Sequence, residues 1–222
     1  MDYDSIKTNV REVLKSLPEH VTLVAAAKTR SADEVSAAID AGIKIVGYNY
    51  VQEAADIKPH ILQSVKWHMI GHLQTNKVKK AVELFDMIET VDSIKLADAI
   101  DRHANDAGKI MPILIEINSA GESSKNGISI EHLDALVDHI RTLPNIQLEG
   151  LMTMGAYAID PDEARRYFRE TKAAFDRLKT VKLANITMRH LSMGMSDSYK
   201  IAIEEGATMV RIGTRLFGER YK

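Results

Sequence analysis

The feature that most constrains this chain is a repeat of kind rather than of letters. Eight short apolar, strand-compatible runs alternate with segments whose apolar residues recur at helical spacing. The runs begin near residues 21, 43, 66, 87, 111, 148, 186 and 209, so most steps take 21 to 24 residues. A step of that length holds one strand, one helix and two short loops, the unit of a parallel sheet. Eight steps in 222 residues predict an α/β fold, a closed (β/α)8 TIM-type barrel forming a single domain over 1–222, more than an open doubly wound sheet. No Gly-x-Gly-x-x-Gly turn follows any run, which argues against a dinucleotide-binding sheet.

The punctuation agrees with the period. Ile6, Val10, Val13, Leu14 and Leu17 mark an extra N-terminal helix that Pro18 stops, because proline cannot continue the ladder of a helix. Ser31 and Glu34 form a capping box for the helix that runs to Gly42. Asp160 before Pro161 is an N-cap with proline at the first helical position. Further helices are expected over Val51–His60, Thr75–Phe85, Ser93–Asn105 and Asp197–Glu205.

Composition excludes several classes of function. At 45% hydrophobic and 27% charged residues the chain reads as an ordinary globular protein. Its formal net charge is −2, and the densest basic block is Lys77-Val78-Lys79-Lys80, so nucleic acid and anionic membrane are not expected partners. Cysteine is absent, which removes disulfides, thiolate catalysis and cysteine-bound metals. Met1-Asp2-Tyr3-Asp4-Ser5 is unlike the basic start of a signal peptide, and no apolar run approaches a membrane span. A cytoplasmic location is expected.

Barrel chemistry gathers at the carboxyl ends of the strands. The first run, Val21 to Ala27, ends in Lys28, and a lysine at the mouth of an apolar barrel is suited to Schiff-base formation with an aldehyde. The last run ends in Gly213-Thr214, where a close backbone approach and the start of a short helix suit an anion such as phosphate. Leu191-Ser192-Met193-Gly194-Met195-Ser196 supplies two hydroxyls on the neighbouring loop, enough for a two-loop phosphate cup; capping of the next helix is the other reading of Ser196. An aldehyde and a phosphate together describe pyridoxal 5′-phosphate.

Six stretches carry a family likeness: Lys28-Thr29, Asn49-Tyr50-Val51-Gln52-Glu53, Trp67-His68-Met69-Ile70-Gly71-His72-Leu73-Gln74-Thr75-Asn76-Lys77, Gly150-Leu151-Met152-Thr153-Met154, Leu191 to Ser196, and Arg211-Ile212-Gly213-Thr214. From about Val21 to Gly218 the chain resembles the pyridoxal phosphate homeostasis proteins, single-domain barrels related to the N-terminal domain of alanine racemase. The resemblance implies an internal aldimine on Lys28, with Gly213, Thr214 and Ser192 or Ser196 on the phosphate. It also implies Arg211 facing the pyridine nitrogen and Asn49 beside the cofactor. One departure is Tyr48, where the family usually has Gly-Glu-Asn, so no carboxylate stands at that position here.

Such a protein is expected to hold the cofactor as a carrier or reservoir rather than turn over a substrate. A guanidinium does not protonate a ring nitrogen, so the ring is a poorer electron sink; Arg211 could instead pair with Glu89 or Glu116. A weak amino-acid racemase is the alternative. It is expected to lack the second acid/base that alanine racemase takes from an additional domain, with nine residues following Gly213; Tyr157 or Tyr199 would have to substitute. A Schiff-base aldolase acting on a phosphorylated sugar is a third reading. No firm catalytic residue and no metal site are expected: His68 and His72 lie on a strand and its exit loop and share no helical face. One of the two should pack and the other bond near the cofactor ring, while His190 should pack. Lys125, in the loop Ser119–Gly127, is a second amine that could accept the aldehyde during transfer to apo-enzymes. Without a second domain the chain is expected to be a monomer.

Overall fold

The computed structural model describes residues 2–119, 126–154, 160–180 and 183–219. Among them, eight parallel strands close a barrel in sequence order: β1 (Thr22–Ala26), β2 (Ile45–Tyr48), β3 (Lys66–Met69), β4 (Met87–Val91), β5 (Met111–Glu116), β6 (Ile146–Met152), β7 (Ile186–Ser192) and β8 (Met209–Ile212). Outside them lie α1 (Tyr3–Ser16), α2 (Ala32–Asp40), α3 (Val51–Ile57), α4 (Val78–Leu84), α5 (Ile94–Asp106), α6 (Ile130–Ile140), α7 (Pro161–Lys179), α8 (Tyr199–Glu204) and α9 (Thr214–Phe217). The barrel and its additional N-terminal helix are those the spacing predicts.

Alternation along each strand sorts residues between two environments. Leu23, Ala25, Ile88, Ile113, Ile115, Val210 and Ile212 join the large outer core with the helices. Their neighbours face the lumen and pack in two smaller clusters, Val24 with Ile45, Ile70 and Met209, and Met87 with Leu114 and Met152. One pleat nearer the carboxyl ends the same face carries Glu89, Glu116, Ser192 and Arg211, all buried. The lumen therefore has an apolar floor beneath a polar layer.

Register sets which strand ends meet. Val24 pairs Arg211 across β1 and β8, and Ala26 pairs Gly47 across β1 and β2, so the loops after β1, β2 and β8 share one sector of the mouth. The ladder between β5 and β6 shifts after Ile113. Gly150 permits it: a Cβ there would lie 1.8 Å from the His190 carbonyl oxygen.

Local chemistry explains where helices deviate from expectation. The Ser31 hydroxyl accepts from Glu34 N–H in the capping box, and Asp160 accepts from Asp162 N–H. The expected helix over Val51–His60 is α-helical only to Ile57, then tightens to a 3-10 turn at Lys58–His60, because Pro59 has no N–H to donate. Thr75–Lys77 is likewise a 3-10 turn, before α4. Among the described residues, no helix is long and apolar enough to cross a membrane.

Candidate functional site

At the carboxyl end of the barrel, one cavity is lined by Lys28, Asn49, Ser196, Arg211, Gly213 and Thr214, with Ala26, Arg30, Ile70, Met154, Met195 and Asp197. Six of the seven residues that the sequence marks as cofactor ligands therefore meet in one place. Ser192 does not line that cavity. It is fully buried, donating to Glu89 Oε2 at 2.7 Å and accepting from Arg211 at 2.6 Å.

Each lining residue arrives by a local device. Lys28 follows β1 in a turn in which Arg30 N–H donates to the Ala27 carbonyl. Arg30 anchors that turn across the mouth: its guanidinium bonds Glu34 and the carbonyl of Gly218 and lies 5.5 Å from the centre of the Phe217 ring. Asn49 is held by close approach, since a Cβ at Gly71 would fall 2.4 Å from the Asn49 carbonyl oxygen. Gly194 turns the loop after β7 at φ +92° and receives the Arg211 N–H on its carbonyl. The Ser196 hydroxyl accepts from Arg215 N–H at 3.4 Å. It thus joins the turn after β8 rather than capping the next helix, which begins only at Tyr199.

Beneath the cavity runs a buried chain of polar groups. His68 Nδ1 lies 2.7 Å from Glu89 Oε1, Ser192 bridges Glu89 to Arg211, and Arg211 also donates to the Thr153 carbonyl at 2.8 Å. Burial alone would raise the Glu89 carboxyl, but His68, Arg211 and Ser192 together hold it below the usual range. Burial lowers Arg211, and the charges of Glu89 and Glu116 offset part of that; a guanidinium nevertheless remains charged. Glu116 goes the other way. Burial raises it to about 7, opposed by Arg211 and reinforced by Asp92.

Among the described residues, the lining side chains thus include three cationic groups, Lys28, Arg30 and Arg211, against one carboxylate, Asp197. Such a lining favours an anion, and Lys28 gives it a primary amine able to condense with a carbonyl. Arg211 is rigidly bonded on its inner side, so it can orient a polar acceptor but cannot move a proton.

Arg211 makes no direct bond to Glu89 or Glu116 of the kind the ion-pair reading required; the Ser192 hydroxyl stands between it and Glu89. His68 is buried on Glu89, whereas His72 is half exposed, 3.8 Å from Asp92. His190 does not pack in the core as expected: alternation and the β6 shift leave it partly exposed, 3.6 Å from Glu149. Tyr199 is buried in α8 and does not line the cavity. Lys125 and Tyr157 lie outside the described residues. Among the described residues no cluster of three potential metal ligands occurs. Spacing alone did not join His68 to Glu89 or Glu53 to the Lys28 turn; an acid inside the apolar run Met87–Val91 was the available signal for the first.

A barrel with an amine at β1 and an anion-suited turn after β8 defines a class, and the family model described as alanine racemase, N-terminal domain, matches residues 1–221. Alanine racemase from Clostridium difficile has the same fold at 18% identity and a TM-score of 0.77, with 99% of this chain and 60% of that chain aligned. Nearer relatives narrow the class. A pyridoxal phosphate homeostasis protein of Aquifex aeolicus is 41% identical over 200 residues, 89% of this chain and 86% of the relative. Another from Escherichia coli K12 is 39% identical over 207 residues, 91% and 87%. PipY of Synechococcus elongatus, solved with PLP bound, is 32% identical with a TM-score of 0.88, covering 96% of this chain and all of that one. The chain belongs to the pyridoxal phosphate homeostasis protein family.

Proposed function

We propose that this protein binds pyridoxal 5′-phosphate in the cavity at the barrel mouth and holds it on Lys28 for intracellular cofactor homeostasis. The observation that carries the reading is the convergence of Lys28, Arg211 and the Ser196–Gly213–Thr214 turn on one cavity. Lys28 would supply the amine with which a pyridoxal phosphate aldehyde condenses, forming C=N and releasing water. In this reading Gly213, Thr214 and Ser196 receive the phosphate, and Asn49 lies beside the ring. Ser192 acts from behind, by holding Arg211.

Storage is favoured over turnover by Arg211. Its bonds to Ser192 and the Thr153 carbonyl hold a permanent cation; facing the ring nitrogen, that cation would leave the nitrogen unprotonated and make the ring a poorer electron sink for racemisation. The relatives' names point the same way, whereas the racemases share only the fold. We extend the proposal to a cytoplasmic monomer that supplies apo-enzymes with the cofactor.

The test is a visible spectrum of the protein incubated with pyridoxal phosphate, then borohydride reduction and peptide mapping. A visible band with the reduced adduct on Lys28, absent in Lys28→Ala, is expected. An adduct scattered over surface lysines would overturn the reading. Sustained racemisation of an L-amino-acid panel at ordinary enzymatic rates, roughly 1 per second or faster, would overturn the storage role.

A further inference from the structure

Thr29, directly after Lys28, has φ +65° and is the one non-glycine residue with positive φ among the described residues. A β-branched side chain is especially disfavoured there, so something outside the turn must hold it. The structure supplies that group from another element. Glu53, in the first turn of α3, accepts the Thr29 N–H on Oε1, a contact across 24 residues of sequence.

An acid at the third position of a helix ordinarily turns back to its own N-cap. Here the N-cap residue is Tyr50, which makes no side-chain cap bond, and the Glu53 carboxylate reaches instead to the β1 loop. Its second oxygen is buried without a hydrogen-bond partner, and so is the hydroxyl of Tyr48, which lies in the core stacked on Trp67 at 5.4 Å. Burying a carboxylate oxygen in that way is costly. The charge-assisted bond to Thr29 N–H is the interaction seen to offset it.

The peptide between Lys28 and Thr29 is planar, so fixing its N–H fixes the plane in which the Lys28 carbonyl lies and the direction in which the Lys28 backbone leaves the strand. We infer that Glu53 is a positioning residue for Lys28: by holding Thr29 in the left-handed conformation it aims the Lys28 amine into the cavity. This rests on the reading of Lys28 as the residue that takes the aldehyde. A role confined to stabilising α3 would not need a bond to another strand's loop.

The experiment separates the amine from the rest of the site. Binding of pyridoxal phosphate, which can bond Lys28, is compared with binding of pyridoxine 5′-phosphate, which keeps ring and phosphate but has no aldehyde. In the full chain, Glu53→Ala should weaken pyridoxal phosphate binding roughly tenfold, the scale of a misplaced reacting group, and leave pyridoxine phosphate binding within about twofold. Glu53→Gln, whose amide oxygen still accepts, should restore most of the loss. Where Glu53→Ala fails to fold, Glu53→Asp, whose shorter side chain draws the carboxylate back from the Thr29 N–H, carries the same comparison; adding Thr29→Gly, which takes φ +65° without steric cost, should return part of the pyridoxal phosphate affinity. Equal weakening of both ligands, or no weakening of either, would overturn the assignment. Lys28→Ala with undiminished affinity for pyridoxal phosphate would instead overturn the reading of Lys28 itself.

Discussion

Glu116 offers the sharpest quantitative test of the polar layer in the lumen. It ends β5 on the face that points into the barrel, is 5% exposed, and is raised from an ordinary 4.5 to about 7. Because the folded protein holds the proton more tightly than the unfolded chain, stability is greatest below the unfolded value and falls as pH rises towards the folded one. At 1.36 kcal/mol per decade the full penalty is about 3 kcal/mol, of which about 2.5 kcal/mol develops between pH 5 and 8. Glu116→Gln keeps the size of the protonated acid and cannot ionise, so that slope should vanish. Urea denaturation of the ligand-free protein and the variant at pH 5 and pH 8 measures it. The difference between them should shift by about 2.5 kcal/mol in favour of the variant on going to pH 8. Parallel pH dependences would refute the argument that Glu116 is buried without a partner able to retain its charge.

Three further outcomes follow from the geometry. Ser192→Ala removes the hydroxyl between two buried charges and should destabilise the fold by about 2 kcal/mol, read by chemical denaturation, while weakening pyridoxal phosphate binding through Arg211; unchanged stability would show that the bridge is dispensable. Gly71→Ala places a Cβ 2.4 Å from the Asn49 carbonyl and should cost more than about 2 kcal/mol, with loss of cofactor affinity as Asn49 shifts. Ser31→Ala breaks the capping box of α2 and should lower stability by about 1 kcal/mol with cofactor binding unaltered, because the hydroxyl faces the helix end and not the cavity.

The physics that made parts of this protein legible is local. Alternating apolar runs, Pro18, the Ser31–Glu34 box and the Asp160–Pro161 start act within a few residues, and eight such units of similar length leave a closed barrel as their economical packing. The barrel also explains why a lysine ending β1 and a Gly-Thr ending β8 could be paired on paper: in a parallel barrel the first and last strands are neighbours, as Val24 and Arg211 are here.

What tertiary structure alone decided is which side chains share the interior once the barrel closes. Ser192 and Ser196 sit four residues apart on the same stretch and read alike, yet one side chain points into the lumen beneath the cavity and the other reaches the turn after β8. Arg211, which could have paired directly with either of two acids, instead reaches Glu89 through a hydroxyl 19 residues before it in sequence. Glu53 crosses 24 residues to the Lys28 turn. Such contacts depend on strand register and loop closure, which no periodicity encodes, so the amine and the anion cup were set out by sequence while the groups that aim and charge them were set by the fold.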